Sequence, residues 1–153
     1  WLLNGEAGEA LANLAARHNL VLLFHVTEPA GHEYPGKRGL RLESFYRFVA
    51  GAGDLAVVGA HLAGGLPLYA YMPAVRNALS GLFADTAALR YLYEPSVLIG
   101  VAQALGPDRL LFGSDYPLVE QSAAIEEIRA SGLDAAAQQS VLGGSAGRVL
   151  GFT

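Results

Sequence analysis

The chain contains an apolar run that ends in a carboxylate, Arg109-Leu110-Leu111-Phe112-Gly113-Ser114-Asp115. Such a run is typical of a buried parallel strand, and a polar group at its carboxyl end lies where α/β proteins keep reactive side chains. Three earlier runs have the same form. They are Leu20-Val21-Leu22-Leu23-Phe24-His25, Leu55-Ala56-Val57-Val58-Gly59-Ala60-His61 and Gly81-Leu82-Phe83-Ala84-Asp85. The polar residues at these four strand ends are therefore expected to lie together at one edge of the sheet, called the rim below.

Helical periodicity fills the stretches between these strands. It predicts helices over residues 6–19, 42–50, 68–79, 88–105, 122–130 and 135–142. Pro95 is expected to start or break the helix within 88–105. Asp134 is expected to cap the 135–142 helix, and Ser145 is expected to cap a last short turn. Strands that alternate with helices predict an α/β fold with parallel strands. The sequence shows no linker, so residues 1–153 are interpreted as one domain.

The composition of the chain argues against some classes of binding partner. Hydrophobic residues make up 52% of the 153 residues and charged residues 16%, with a net charge of −4. No basic stripe is present, so neither nucleic acid nor an anionic membrane is an expected partner. No apolar run approaches the roughly 20 residues that span a bilayer. The chain has no cysteine, which is compatible with a cytoplasmic location and requires any metal to be held by histidine and carboxylate.

The loop after the first strand is rich in side chains that recognise small molecules. An acid, a histidine, a tyrosine and two cations follow His25 within residues 26–39. We predict substrate contacts there, with a solvated loop as the equal alternative. A glycine pair after His61 would let substrate approach the backbone closely. The candidate substrate-binding residues are Glu28, His32, Tyr34, Lys37, Arg38, Gly64 and Gly65.

Four motifs occur in a fixed order along the chain. They are Val21-Leu22-Leu23-Phe24-His25, Gly59-Ala60-His61-Leu62-Ala63-Gly64-Gly65, Phe83-Ala84-Asp85-Thr86-Ala87 and Leu111-Phe112-Gly113-Ser114-Asp115-Tyr116-Pro117. Together they resemble the amidohydrolase-related (amidohydrolase 2) family of metal-dependent TIM-barrel enzymes. The closing Gly147-Arg148-Val149-Leu150-Gly151 also resembles the C-terminal helix of that family.

The resemblance implies a role for each strand end. His25 matches the strand-five histidine that ligates the metal. Asp115 matches the strand-eight aspartate, which is both a metal ligand and the base for the activated water. His61 matches the strand-six histidine, which binds a second metal in some members and polarises substrate in others. Asp85 matches strand seven and has no constant catalytic role, so local hydrogen bonding is its expected use.

The resemblance also implies two kinds of reaction on a small molecule. The first is metal-dependent hydrolysis of a C–N or C–O bond in a carbonyl or carboxylate substrate, through a metal-activated water. The alternative is non-oxidative, metal-dependent decarboxylation by a lyase of the same family. A divalent ion is implied as cofactor, with zinc as the default for histidine and carboxylate ligands and manganese as the second choice.

The first-strand His-x-His motif of the family is absent from the chain. A complete barrel takes about 250 residues. The chain is therefore interpreted as the C-terminal half, about strands 5–8, of a (β/α)8 TIM barrel. We expect this half to be inactive alone and, because its sheet edges are open, to be prone to homo-oligomer formation. A non-catalytic half-barrel that serves binding or assembly is the alternative from another functional class.

Overall fold

A single parallel sheet organises the molecule, which the computed structural model describes for residues 3, 5–37 and 39–152. The strands follow the chain in the spatial order β1-β2-β3-β4. They are β1 (Leu22–Phe24), β2 (Val57–Gly59), β3 (Leu82–Asp85) and β4 (Leu110–Leu111). Each strand thus lies beside its successor without the reversal of order that marks a doubly wound sheet. This is the winding of a barrel, and the predicted half TIM barrel is confirmed.

Eight α-helices and three other helical segments connect and follow the strands in the described residues. The α-helices are α1 (Glu6–Arg17), α2 (Leu42–Gly51), α3 (Pro73–Ala78), α4 (Leu89–Leu92), α5 (Val97–Leu105), α6 (Gln121–Ala130), α7 (Ala135–Gln139) and α8 (Ser145–Leu150). The other segments are two 3₁₀ segments, Leu62–Tyr71 and Pro107–Arg109, and a π segment, Ser140–Gly144. Within the described residues, no helix combines the length and apolar character needed to cross a bilayer.

The two faces of the sheet differ in what covers them. Leu22, Val57 and Leu82 point to the helical side and belong to the main core with Phe45 of α2. Side chains alternate along a strand, so the next register row, Leu23–Val58–Phe83, faces the opposite way. Leu23 is 65% exposed in this row. The second face corresponds to the lumen side of a barrel.

Two prolines set helix boundaries. The helix predicted over 68–79 is replaced by the 3₁₀ segment and α3, because Pro73 occupies the first turn of α3 and starts a new helix. The helical stretch predicted over 88–105 is divided into α4 and α5, with the expected break at Pro95 between them. Pro95 restricts the residue before it to extended backbone, and Tyr93 is extended as well.

One predicted cap is confirmed and one is wrong. The Asp134 side chain accepts a hydrogen bond from the Ala137 N–H at 2.8 Å, as expected of an N-cap. Ser145 does not cap the last turn, because it already has helical backbone dihedrals. Its hydroxyl instead donates to the Pro107 carbonyl at 3.3 Å and ties α8 to the turn before β4.

Candidate metal and catalytic site

The two predicted strand-end histidines meet at the carboxyl edge of the sheet. His25 Nδ1 lies 3.1 Å from His61 Nε2, and the rings meet edge to face with centroids 4.9 Å apart. Parallel pairing of Phe24 with Gly59 brings the ends of β1 and β2 side by side. His61 is buried at 8% exposure, whereas His25 is exposed.

A left-handed turn directs His61 toward His25. Every residue from His61 to Gly65 has a positive φ, between 51° and 84°. Left-handed backbone costs a non-glycine residue roughly 1–2 kcal/mol, and three of these five residues carry a side chain larger than hydrogen. Gly64 is required here, because a Cβ at this position would lie 2.8 Å from the Thr27 carbonyl oxygen. Strain of this kind is concentrated at functional sites.

The hydrogen-bond partners of the two rings fix where their protons lie. His61 Nδ1 lies 3.1 Å from the Ala87 carbonyl oxygen, and His25 Nε2 lies 3.1 Å from the Gly36 carbonyl oxygen. A carbonyl only accepts, so each of these nitrogens donates. In neutral rings the remaining nitrogens, His25 Nδ1 and His61 Nε2, then face each other with lone pairs. Their 3.1 Å contact requires a shared proton or a cation.

This arrangement fits two ligands of one divalent ion. Two imidazole nitrogens that each lie about 2.1 Å from the same ion must be less than about 4.2 Å apart, and this pair meets that condition. In the part of the chain that the structure describes, no group of three or more histidines and carboxylates is close enough to hold a metal. The histidine pair alone would therefore supply only part of a coordination shell.

Asp85 fixes the backbone on either side of this pair. Its Oδ1 accepts from the His61 N–H at 2.8 Å and from the Ala87 N–H at 3.0 Å. Burial raises the pKa of Asp85; the two backbone donors oppose that shift and the charge of Asp115 adds to it. The expected local hydrogen bond is made to Ala87, and the second one reaches His61, which is 24 positions away in the chain.

Asp115 lies at the same edge and is exposed. It is near enough for its charge to raise the pKa of Asp85. Its φ is 64°, which aspartate tolerates better than most residues, and a cis Tyr116–Pro117 peptide follows it. The Thr86 hydroxyl donates to the Gly113 carbonyl and accepts from the Gly113 N–H, both at 3.1 Å, which joins the ends of β3 and β4 beneath Asp115.

The loop after β1 is held together from within. The Lys37 ammonium donates to the Ala30 and His32 carbonyls at 3.1 and 2.6 Å, and Lys37 is 9% exposed. The Thr27 hydroxyl donates to the Lys37 carbonyl at 2.6 Å. Lys37 therefore stabilises the loop, and these contacts occupy two of its three donors.

The remaining predicted substrate residues are dispersed around this loop. The Tyr34 hydroxyl donates to Glu28 Oε2 at 3.3 Å, and the His32 ring packs against Tyr34. The Gly65 backbone faces the Tyr93 hydroxyl. Arg38 lies outside the described residues. Sequence reasoning did not identify Gly39, whose hydrogen faces the His25 ring; a Cβ there would be 2.9 Å from His25 Cδ2.

A cavity of about 840 Å³ lies beside the histidine pair and does not include it. The loop after β1, the start of α2 and the 3₁₀ segment line it, with Glu28, Lys37 and Gly39 on the loop side. The strand-end residues remain the candidate reactive site, because the two histidine nitrogens converge there and Asp85 and Asp115 lie at the same edge. Gly39 lines the cavity and also faces the His25 ring, so the cavity and the candidate reactive site are neighbours.

Comparison with known families identifies the class of protein that this fold and edge define. The Amidohydro_2 family model (Amidohydrolase) matches residues 1–152. The chain belongs to this amidohydrolase family. No curated protein matches it.

Solved structures share the fold at low sequence identity. The 5-carboxyvanillate decarboxylase LigW from Sphingomonas paucimobilis is 17% identical with a TM-score of 0.71, over 94% of this chain and 52% of its own. A dihydroxybenzoic acid decarboxylase from Polaromonas sp. JS666, with bound manganese and the inhibitor 2-nitroresorcinol, is 15% identical with a TM-score of 0.73, over 91% and 52%. An amidohydrolase from Burkholderia multivorans with bound zinc is 19% identical with a TM-score of 0.66, over 93% and 56%. The chain thus spans about half the length of these proteins.

Proposed function

We propose that the chain contributes the carboxyl ends of four strands to the active site of a metal-dependent hydrolase. The observation that carries the proposal is the 3.1 Å approach of His25 Nδ1 to His61 Nε2, with lone pairs facing each other. His25 and Asp115 would hold a divalent ion, zinc or manganese, and an ion on His25 lies within reach of His61 as well. When bound, such an ion polarises a carbonyl and acidifies water.

The chain's own residues supply the proton chemistry and the positioning. Asp115 is exposed at the rim, where its carboxylate would take a proton from the attacking water. His61 Nε2 would either join His25 as a ligand of the ion or, with the ion held by His25 and Asp115, orient the developing oxyanion. Its Nδ1 contact with the Ala87 carbonyl holds the ring in place in both cases. Asp85 fixes the His61 backbone. The substrate would be a small carbonyl or carboxylate compound that the residues of the β1 and β2 loops contact.

Decarboxylation is the second candidate within the same family. Two of the solved structures that share the fold are decarboxylases. In this case the same ion would bind the carboxylate of the substrate, and an acid at the rim would deliver a proton to carbon. Release of CO2 from a dihydroxybenzoate, measured in a protein that carries this chain together with the remaining strands of a barrel, would assign decarboxylation. Hydrolysis of esters, lactones or amides without CO2 release would assign hydrolysis.

A non-catalytic module is the candidate from another class, because the described residues contain no three-ligand cluster. The Asp115→Asn variant separates the classes, since asparagine tolerates the left-handed backbone of this position but cannot act as a base. An enzyme would lose turnover and keep its thermal unfolding midpoint. A binding module would keep both its fold and its partner. A cytoplasmic location and self-association through the open sheet remain predictions.

Manganese binding tests the metal site directly. We expect His25→Ala to weaken Mn²⁺ binding at least about tenfold in titration calorimetry, because it removes a ligand nitrogen. An equal loss in His61→Ala would assign His61 as a second ligand, and an unchanged affinity in that variant would assign it to the oxyanion. His18→Ala is the matched control, since His18 is exposed at the end of α1. Equal affinities in all three variants and the wild type would contradict the proposed site.

A further inference from the structure

The hydroxyl of Tyr93 is buried and unpaired in the part of the chain that the structure describes. Tyr93 follows α4 with extended backbone, and its ring packs against the main core. Its Oη has no hydrogen-bond partner there. A buried hydroxyl without a partner costs free energy, and phenylalanine would fill the same space without that cost.

Loops from three successive strands meet at this hydroxyl. Tyr93 itself follows β3. A Cβ built on Gly65, in the turn after β2, would lie 3.4 Å from the Tyr93 Oη. Burial raises the pKa of Tyr93 to about 12, with the charge of Glu28, in the loop after β1, as the next cause. The phenol therefore stays protonated at neutral pH and is available as a donor.

Other tyrosines of the protein show that the missing partner is specific to Tyr93. Tyr34 is near enough to Tyr93 to affect its pKa, and its hydroxyl donates to Glu28 at 3.3 Å. Tyr71 donates to the Gly100 carbonyl at 3.1 Å although it is exposed. Among the described residues, the Tyr93 hydroxyl is the one buried hydroxyl that lacks a partner. Its hydrogen-bond acceptor therefore lies outside these residues.

We propose that Tyr93 is a ligand-binding residue whose hydroxyl donates to an oxygen of a small molecule held between the loops after β1, β2 and β3. The proposal rests on the proposed function, which places substrate at this end of the strands. The nearby charge of Glu28 disfavours an anionic group, so the acceptor is an uncharged oxygen such as a hydroxyl or carbonyl. The 840 Å³ cavity has the volume of a small-molecule site, and it has Glu28 and Leu66 in its wall. Tyr93 itself does not line this cavity.

The Tyr93→Phe variant tests the proposal in two measurements. In thermal unfolding without ligand, we expect its midpoint to equal or exceed that of the wild type, because the variant removes an unpaired buried hydroxyl. Tyr34→Phe, which loses a hydrogen bond, is the comparison. A midpoint for Tyr93→Phe below that of Tyr34→Phe would show that the hydroxyl has a partner within the protein, and would overturn the proposal.

Binding of 2-nitroresorcinol in the presence of Mn²⁺ is the second measurement, since this probe carries hydroxyl oxygens. We expect Tyr93→Phe to weaken binding at least about tenfold and the exposed control Tyr71→Phe to leave it unchanged. Unchanged probe binding in Tyr93→Phe would overturn the proposed role of Tyr93 and leave the proposed function standing. The same holds if the wild type binds Mn²⁺ but does not bind the probe. Loss of Mn²⁺ binding itself would contradict the proposed function, and the unfolding midpoint would then still decide whether Tyr93 is unpaired.

Discussion

Replacement of Asp85 by alanine should show how much one buried carboxylate stabilises the edge of the sheet where the candidate site lies. Asp85 Oδ1 accepts two backbone hydrogen bonds, from His61 at 2.8 Å and from Ala87 at 3.0 Å. His61, Asp85 and Ala87 are all buried, so water cannot readily replace the lost acceptor. The Asp85→Ala variant therefore leaves two N–H groups without a partner.

The expected loss follows from these two contacts. Each stranded buried donor costs about 1–3 kcal/mol, which gives about 2–6 kcal/mol for the pair. Removal of a buried carboxylate offsets part of this cost, because the same burial that raises the pKa of Asp85 disfavours its charged form. We expect Asp85→Ala to lower the free energy of unfolding by about 2–4 kcal/mol.

The Asp85→Asn variant separates hydrogen bonding from charge. Asparagine keeps the accepting oxygen but has no charge to desolvate, so we expect it to be at least as stable as the wild type at pH 7. The raised pKa of Asp85 sets the sign of the pH dependence. Wild-type stability should fall as the pH rises from the ordinary value of 3.8 through the raised value, and should be constant above it. Asp85→Asn should lack that decrease.

Urea denaturation of the wild type and both variants between pH 4 and 8 measures these effects. Asp134→Ala is the matched control, because it removes one hydrogen bond at an exposed helix start and should cost about 1 kcal/mol. A loss below about 1 kcal/mol for Asp85→Ala would refute the reasoning. Equal pH profiles for the wild type and Asp85→Asn would refute the burial argument.

Two further substitutions test the loops that carry the site. Gly64→Ala should destabilise the protein by about 1–3 kcal/mol in urea denaturation, because its methyl group would meet the Thr27 carbonyl at a positive φ. Gly36→Ala is the control, since Gly36 also has a positive φ but its added methyl group would have no atom within 4 Å. Equal losses of stability in the two variants would contradict the steric part of the argument. Lys37→Met keeps the aliphatic stem of the side chain but removes the two hydrogen bonds from the ammonium to backbone carbonyls. Limited proteolysis should therefore cut the loop after β1 faster than in the wild type, at equal global stability. An unchanged cleavage rate would show that the loop does not depend on these two hydrogen bonds.

Local patterns in the sequence were sufficient for much of the fold. Apolar runs placed the four strands in order, since a strand buried on both faces must be apolar along its length. The same runs placed His25, His61, Asp85 and Asp115 at one edge of the sheet. The Asp134 cap was also predictable, because a cap depends on residues within one helical turn. The break at Pro95 was predictable for the same reason. The helix over 68–79 was predicted with the wrong bounds, because a 3₁₀ segment with left-handed residues precedes Pro73.

The contacts that give the site its chemistry depend on tertiary structure. The His25–His61 approach joins residues 36 positions apart, and it requires five left-handed residues that no periodicity reveals. The burial of Lys37 within its loop and the unpaired Tyr93 hydroxyl likewise depend on how three loops pack together. The sequence by itself determined which side chains reach the rim, because strand order and alternation are local properties. Only the packed loops decided which of those side chains touch, because that depends on distances between segments far apart in the chain.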